Sequence, residues 1–221
     1  MTERNNDALI IFSRLPIGHE TKTRLSPLLN ESQREELHIA MWHDIFREAM
    51  KLSGFDIFLY WTGSGNISDY REHIPPSFLL CEQCGENLGV RMCNAMRDIF
   101  SLGYSRAALI GSDIPSLKAG NIAKAFRILD GADTVLGPSG DGGYWLIGMR
   151  GFFPEAFSVK SWGNSDVLTA TVETLRRSGI VFGFADTLND IDTPEDVRDF
   201  MKSCNYSFSA VYKFFARTLF S

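Results

Sequence analysis

The sequence has no apolar run long enough to cross a membrane, no surplus of positive charge and few cysteines. Each shortage removes a class of function. A spanning helix needs about 20 consecutive apolar residues, and no stretch approaches that length. The formal net charge of −5 argues against general nucleic-acid binding, which requires a basic surface. The amino-terminal MTERNNDALIIF has no basic region ahead of a long apolar stretch. It therefore does not read as a signal peptide, and the cytoplasm is the expected compartment. Of the four cysteines, Cys81 and Cys84 make one CxxC pair, while Cys93 and Cys204 stand apart. A structural zinc site wants a second pair at matching spacing, so the cysteines read as reduced structural thiols. Neither G-x-S-x-G nor G-x-x-x-x-G-K-[ST] occurs, which argues against a serine hydrolase elbow and a P-loop. The histidines show no nucleophile-base arrangement. His38 and His43 fall in one amphipathic helix and read as surface residues, and His19 alone lies in a candidate site loop.

What remains is an ordinary globular composition, 44% hydrophobic and 22% charged over 221 residues, enough for one domain with a sizeable core. The expected boundaries are a single domain over 1–204 and a carboxy-terminal helix over 205–221. Short β-rich runs are predicted at Ala8–Ser13, Phe55–Trp61, Ser77–Cys81, Ala107–Gly111, Thr134–Gly137 and Ile180–Ala185. Helical spacing between them appears in Leu37, Ala40, Met41, Ile45, Ala49 and Leu52, capped by Asn30 with Gln33 or by Ser32 with Glu35. Tyr144–Met149 follows its predecessor so closely that an antiparallel partner is expected. Strands alternating with helices imply an α/β fold, a mostly parallel mixed sheet covered on both faces. Right-handed crossovers bring every strand-to-helix loop to one edge, where ligands bind in open α/β sheets. The tail places Phe208, Val211, Tyr212, Phe215 and Leu219 at helical spacing. So aromatic a stripe is expected either to pack on the domain or to form a homodimer contact.

Four constellations fall on the loops of that edge. Gly18, Lys22 and Arg24 follow the first strand. A glycine lets backbone approach a ligand, while the two cations supply a point charge and a fork for phosphate oxygens. Asp113 ends the fourth strand in GSDIP, and a carboxylate there can hold Mg²⁺ or Mn²⁺. Asp141 stands among Gly140, Gly142 and Gly143 in GPSGDGGYW, more glycine than a simple turn needs. In NDIDTPEDV, Thr193 can cap a helix with Pro194 at its first position, which leaves Asp190 and Asp192 as spare carboxylates. Of these two, Asp192 is favoured as the second metal ligand.

Taken together, FSRLPIGHETKTRL, QCGENLGVRM, LIGSDIPSL, GPSGDGGYWLIGM and DIDTPEDV resemble the DUF2064 family of the nucleotide-diphospho-sugar transferase superfamily, from about Ala8 to Met201. The resemblance extends to the 2-phospholactate guanylyltransferases. It implies a GT-A-like, Rossmann-related three-layer α/β/α sandwich and a divalent metal, Mg²⁺ or Mn²⁺. Carried over residue by residue, Lys22 and Arg24 contact nucleotide phosphates, and Gln83, Gly85, Leu88 and Gly89 line the base or ribose pocket. Asp113 and Asp192 bind metal, while Asp141, Gly142 and Gly143 face the acceptor. Where the family usually has lysine before its proline-containing loop, this chain has Arg14. The Asp-x-Asp of metal-dependent sugar transferases is also missing, since Asp113 is followed by Ile114-Pro115. A lone aspartate and a basic loop suit nucleotidyl transfer, in which an acceptor phosphate attacks the α-phosphorus of a nucleoside triphosphate. Glycosyl transfer from a nucleotide-sugar to a small-molecule acceptor, with Asp141 as base, is the alternative. A non-catalytic nucleotide-binding protein is the third reading.

Overall fold

The computed structural model describes residues 6–159, 166–202 and 208–219. Seven strands form one sheet: β1 (Asp7–Arg14), β2 (Phe55–Thr62), β3 (Leu79–Glu82), β4 (Arg106–Gly111), β5 (Thr134–Pro138), β6 (Tyr144–Met149) and β7 (Phe182–Phe184). Their spatial order is β3-β2-β1-β4-β6-β5-β7. All neighbours are parallel except β6, which runs antiparallel between β4 and β5. The short turn before Tyr144 allows no crossover, so β6 returns beside β5 as expected. The third strand begins two residues later than Ser77, and the last is confined to Phe182–Phe184.

Helices α1 (Glu31–Ala49), α2 (Leu88–Ser101), α3 (Ala119–Ile128) and α4 (Val167–Arg177) cover the sheet, followed by α5 (Pro194–Lys202) and α6 (Ala210–Leu219). The strand alternation of β1 decides the layering. Leu9 and Ile11 enter one core with Trp42, Ile45 and Phe46 of α1 and Ile122 and Phe126 of α3. Ala8, Ile10 and Phe12 enter the other core with Met92, Met96 and Ile99 of α2 and Leu175 of α4. The result is the expected three-layer α/β/α arrangement.

Helix α1 is buried on two sides. Its Leu37, Ala40 and Met41 leave the sheet and pack with Leu25, Leu29, Val197 of α5, and Val211, Phe214 and Phe215 of α6. Asn30 starts α1: its side chain accepts from Gln33 N at 2.9 Å, while the Gln33 side chain accepts from Asn30 N at 2.9 Å. At the start of α6, the buried carboxylate of Asp44 accepts from Ser209 Oγ, Ala210 N and Val211 N. That satisfies donors the helix cannot satisfy itself. Phe208, expected on the packed stripe, is instead exposed. The domain boundary at residue 204 lies outside the described residues.

Candidate functional site

Because β1 lies between β2 and β4, the chain leaves β1 and β4 on diverging paths at their carboxyl ends. Such a switch point opens a crevice. Here it is a cavity of about 550 Å³ lined by the β1 loop, the β4 end, Gln83, Leu88 and Arg91, and Asp192. A smaller cavity of about 190 Å³ adjoins it, lined by Leu88, Met92, Asp113, Asp141, Gly143 and Asp190 among others. Leu88, Gly111 and Asp113 belong to both.

Lys22 is the centre of the larger cavity. Its backbone has φ 48°, the one left-handed residue other than glycine among those described. Such a conformation costs about 1–2 kcal/mol and persists only where surrounding contacts impose it. The ammonium donates to Ile191 O at 2.6 Å and Asp113 Oδ2 at 3.0 Å, and reaches Asp192 Oδ1 at 3.5 Å. Burial alone would favour the neutral amine, but the charges of Asp113 and Asp192 outweigh it and hold the Lys22 pKa above its ordinary value. Burial likewise pushes the Asp113 carboxyl up, yet Lys22 overrides it and the carboxyl stays below its usual range. Arg24, largely exposed, donates to Asp192 Oδ2 at 2.9 Å.

The loop is braced from behind by a buried polar network. Thr21 Oγ1 bonds His38 Nδ1. His38 Nε2 lies 3.0 Å from Ser13 Oγ, which accepts from Trp42 Nε1 at 2.7 Å and contacts Ser112 Oγ at 2.8 Å. His38 is 4% exposed, not a surface residue as expected. Burial, with the nearby Lys22 charge, lowers its pKa to about 3. His38 is one turn before Trp42 and two before Ile45, on the sheet-facing stripe of α1, and that spacing was the signal for its burial. His19 and His43 are exposed.

Gly18 does not approach the cavity. A Cβ there would stand 2.2 Å from Glu31 O, so glycine is needed to seat the loop on the start of α1. Gln83 lines the larger cavity, and its amide nitrogen donates to Tyr60 O at 2.9 Å and Ser13 O at 3.2 Å. That leaves its carbonyl oxygen as the acceptor. Leu88 lines both cavities, Gly89 is buried, and Gly85, at φ +141°, supports the first turn of α2. Asp141 accepts from Ser139 Oγ and from Gly143 N at 3.0 Å, with Gly142 at φ +87° making the turn. Gly142 O accepts from Leu168 N at 3.0 Å, which ties this turn to α4.

The carboxylates divide into two sets. Asp192 is held by Arg24 and Lys22. Asp113, Asp141 and Asp190 line the smaller cavity, whose lining includes no lysine or arginine among the described residues. Burial and the Asp113 charge raise the Asp190 pKa to about 6. These carboxylates are all-oxygen groups of the kind that hold hard divalent ions, and Asp113 among them also pairs with Lys22 at 3.0 Å. Lys22 stands between Asp113 and Asp192, within 3.0 Å of the first and 3.5 Å of the second. Among the described residues, no three His, Cys, Asp or Glu side chains are closed into a metal cluster.

The profile of a family described as an uncharacterized protein conserved in bacteria (DUF2064) matches residues 45–164. No curated protein matches the chain. Among solved structures, a Desulfovibrio desulfuricans G20 protein classed with the nucleotide-diphospho-sugar transferases superposes with a TM-score of 0.90 at 30% identity, over 96% of this chain and 95% of that one. CMP:2-keto-3-deoxy-manno-octonic acid synthetase complexed with CTP gives 0.54 at 12% identity, over 89% and 98%. Glucosyl-3-phosphoglycerate synthase from Mycobacterium tuberculosis, in complex with Mn²⁺, UDP and glucosyl-3-phosphoglycerate, gives 0.55 at 11% identity, over 98% and 80%. Among the described residues, no helix is long and apolar enough to cross a membrane. The chain belongs to the DUF2064 family and has the nucleotide-diphospho-sugar transferase fold.

Proposed function

We propose that this protein is a divalent-metal-dependent transferase that moves a group from a nucleotide-activated donor to a small-molecule acceptor, and that the group is a nucleotidyl unit. The observation carrying this reading is the Lys22 ammonium, buried and charged at the carboxyl ends of β1 and β4, with Arg24 and Asp113 around it. Charge fixed in that position is what a triphosphate demands, because the transition state of phosphoryl transfer spreads negative charge over non-bridging oxygens.

In this reading the larger cavity takes the nucleotide. The carbonyl oxygen of Gln83 and the backbone around Leu88 and Gly89 face base or ribose, and Lys22 and Arg24 face the phosphates. Asp113, with Asp190, would hold Mg²⁺ or Mn²⁺, which when bound would supply further charge to phosphate oxygens. Asp192 keeps Arg24 and Lys22 in place. The acceptor enters the smaller cavity beside Asp141, Gly142 and Gly143. An acceptor phosphate needs no base to attack, so Asp141 orients the acceptor. In glycosyl transfer the same carboxylate would take the proton of an acceptor hydroxyl.

The test is calorimetric binding of GTP, ATP, UTP, CTP and UDP- and GDP-sugars, with and without Mg²⁺ or Mn²⁺. Metal-dependent preference for one triphosphate, followed by pyrophosphate release with a phosphorylated acceptor, is the expected result. Preference for a nucleotide-sugar would replace nucleotidyl by glycosyl transfer. Binding without turnover across a broad acceptor panel would indicate a nucleotide-binding protein, and binding of none of these ligands would overturn the reading. Mn²⁺ affinity should fall at least tenfold in Asp113→Asn and Asp190→Asn, and less in Asp192→Asn.

A further inference from the structure

Arg91 is the part of QCGENLGVRM that the reading above leaves unused. It sits in the first turn of α2, one turn beyond Leu88, and lines the larger cavity with Lys22 and Arg24. Of the other cations in that lining, Lys22 is engaged by Asp113 and Asp192 and Arg24 by Asp192, while Arg14 is exposed. Arg91 has no carboxylate within ion-pairing distance among the described residues, and its Nε is buried without a hydrogen-bond partner. A buried donor left unmet is costly, and on a guanidinium that deficit is met best by two oxygens of one anion.

The stem of Arg91 is held in place. A Cβ on Gly85 would come within 3.0 Å of Arg91 N and 3.2 Å of Arg91 Cγ. Only a glycine lets the 83–87 loop lie against this turn, and Arg91 N is itself bonded to Asn87 O at 3.0 Å.

We propose that Arg91 is an anion anchor of this cavity, gripping a phosphate group of the bound ligand through Nε and one terminal nitrogen. The proposal rests on the cavity being a phosphate-ligand site, as the transferase reading holds. An arriving phosphate draws the guanidinium about its last bonds and gives Nε the partner it lacks. The phosphate belongs either to the nucleotide or to the second substrate, and the chemistry of the grip is the same for both.

The experiment is calorimetric titration of the full chain in metal-free buffer with pyrophosphate and, separately, with glucose 1-phosphate. Wild type, Arg91→Met, Arg91→Lys and Lys22→Met are compared. Arg91→Met should weaken binding of at least one anion tenfold or more. Arg91→Lys should recover only part of it, since an ammonium lacks the planar fork. Loss for pyrophosphate assigns Arg91 to the nucleotide, and loss confined to glucose 1-phosphate assigns it to the second substrate. If wild type binds neither anion in metal-free buffer, this proposal falls, while the transferase reading stands or falls on the titrations with Mg²⁺ or Mn²⁺. If Lys22→Met loses pyrophosphate while Arg91→Met and Arg91→Lys bind both anions as wild type does, this proposal alone falls. Unfolding temperatures within a few degrees of wild type exclude general loss of structure as the cause.

Discussion

His38 offers a measurement whose sign and size both follow from the structure. Its pKa is lowered from 6.5 to about 3 because the imidazole is buried beside the Lys22 charge. A depressed folded-state pKa contributes stability that is fully present above the unfolded value and is lost as pH falls toward the folded one. The window therefore opens near pH 6.5 and closes near 3. Between pH 7 and pH 5 the unfolded chain takes up a proton that the folded chain refuses, a loss of about 2 kcal/mol. His38→Gln can still bond Ser13 or Thr21, and it has no proton to take up. At pH 7 the variant should be less stable by about 1–3 kcal/mol, the cost of an imperfectly met buried bond. Urea unfolding at both pH values should then show wild type losing about 2 kcal/mol more than the variant on acidification. In thermal melts, at roughly 2–4 °C per kcal/mol for a chain of this size, the extra loss is about 4–8 °C. Equal losses for the two proteins would refute the neutral, buried histidine.

Lys22→Met leaves Asp113 without its ammonium. With the Asp113 side chain 36% exposed, water recovers part of the buried-pair penalty, so a loss of about 2–3 kcal/mol in urea unfolding is expected, together with loss of pyrophosphate binding. In metal-free buffer Asp113→Asn should release Lys22 and raise pyrophosphate affinity about tenfold by calorimetry, a coupling of about 1.4 kcal/mol. Gly18→Ala drives a methyl into Glu31 O and should lower stability by roughly 1–3 kcal/mol in the same unfolding assay. Phe215→Ala removes a fully buried ring from the α1–α6 contact and should cost about 3–5 kcal/mol. A melt unchanged from wild type would mean that α6 is not docked.

The sheet was legible because its strands are short apolar runs closed by turn residues, and the hairpin return of β6 because too few residues separate it from β5. The edge residues were legible for the same reason: Lys22, Asp113, Asp141 and Asp192 each follow a strand that topology delivers to one side. What sequence could not give was which of them touch. Asp190 and Asp192 alternate along one loop, and only the fold shows Asp192 turned to Arg24 and Lys22 while Asp190 joins Asp113 around the smaller cavity. His38 was misplaced because α1 is buried on two sides. Its apolar residues were assigned to one face, whereas Leu37 and Met41 face α6 and Trp42 and Ile45 face the sheet. Gly18 looked like a loop glycine near ligand, but its neighbour is the backbone of Glu31, a contact that no local pattern encodes.

The pairing of Lys22 with two carboxylates bears on the order in which ligands bind. A phosphate that claims the ammonium must take it from Asp113 and Asp192, leaving two carboxylates beside an anion. Metal-free phosphate binding at Lys22 is opposed by that repulsion, while the Arg91 guanidinium, with no carboxylate to release, has no such conflict. Asp113 and Asp190 would hold a divalent ion, whose charge would offset the phosphate and leave the Lys22 ammonium available to it. Cation and phosphate would then favour each other's binding by the same factor, as linkage requires. The strained backbone of Lys22, braced by Thr21 and His38, keeps the ammonium within reach of either partner. Such an exchange would need a change of partner but no movement of the loop.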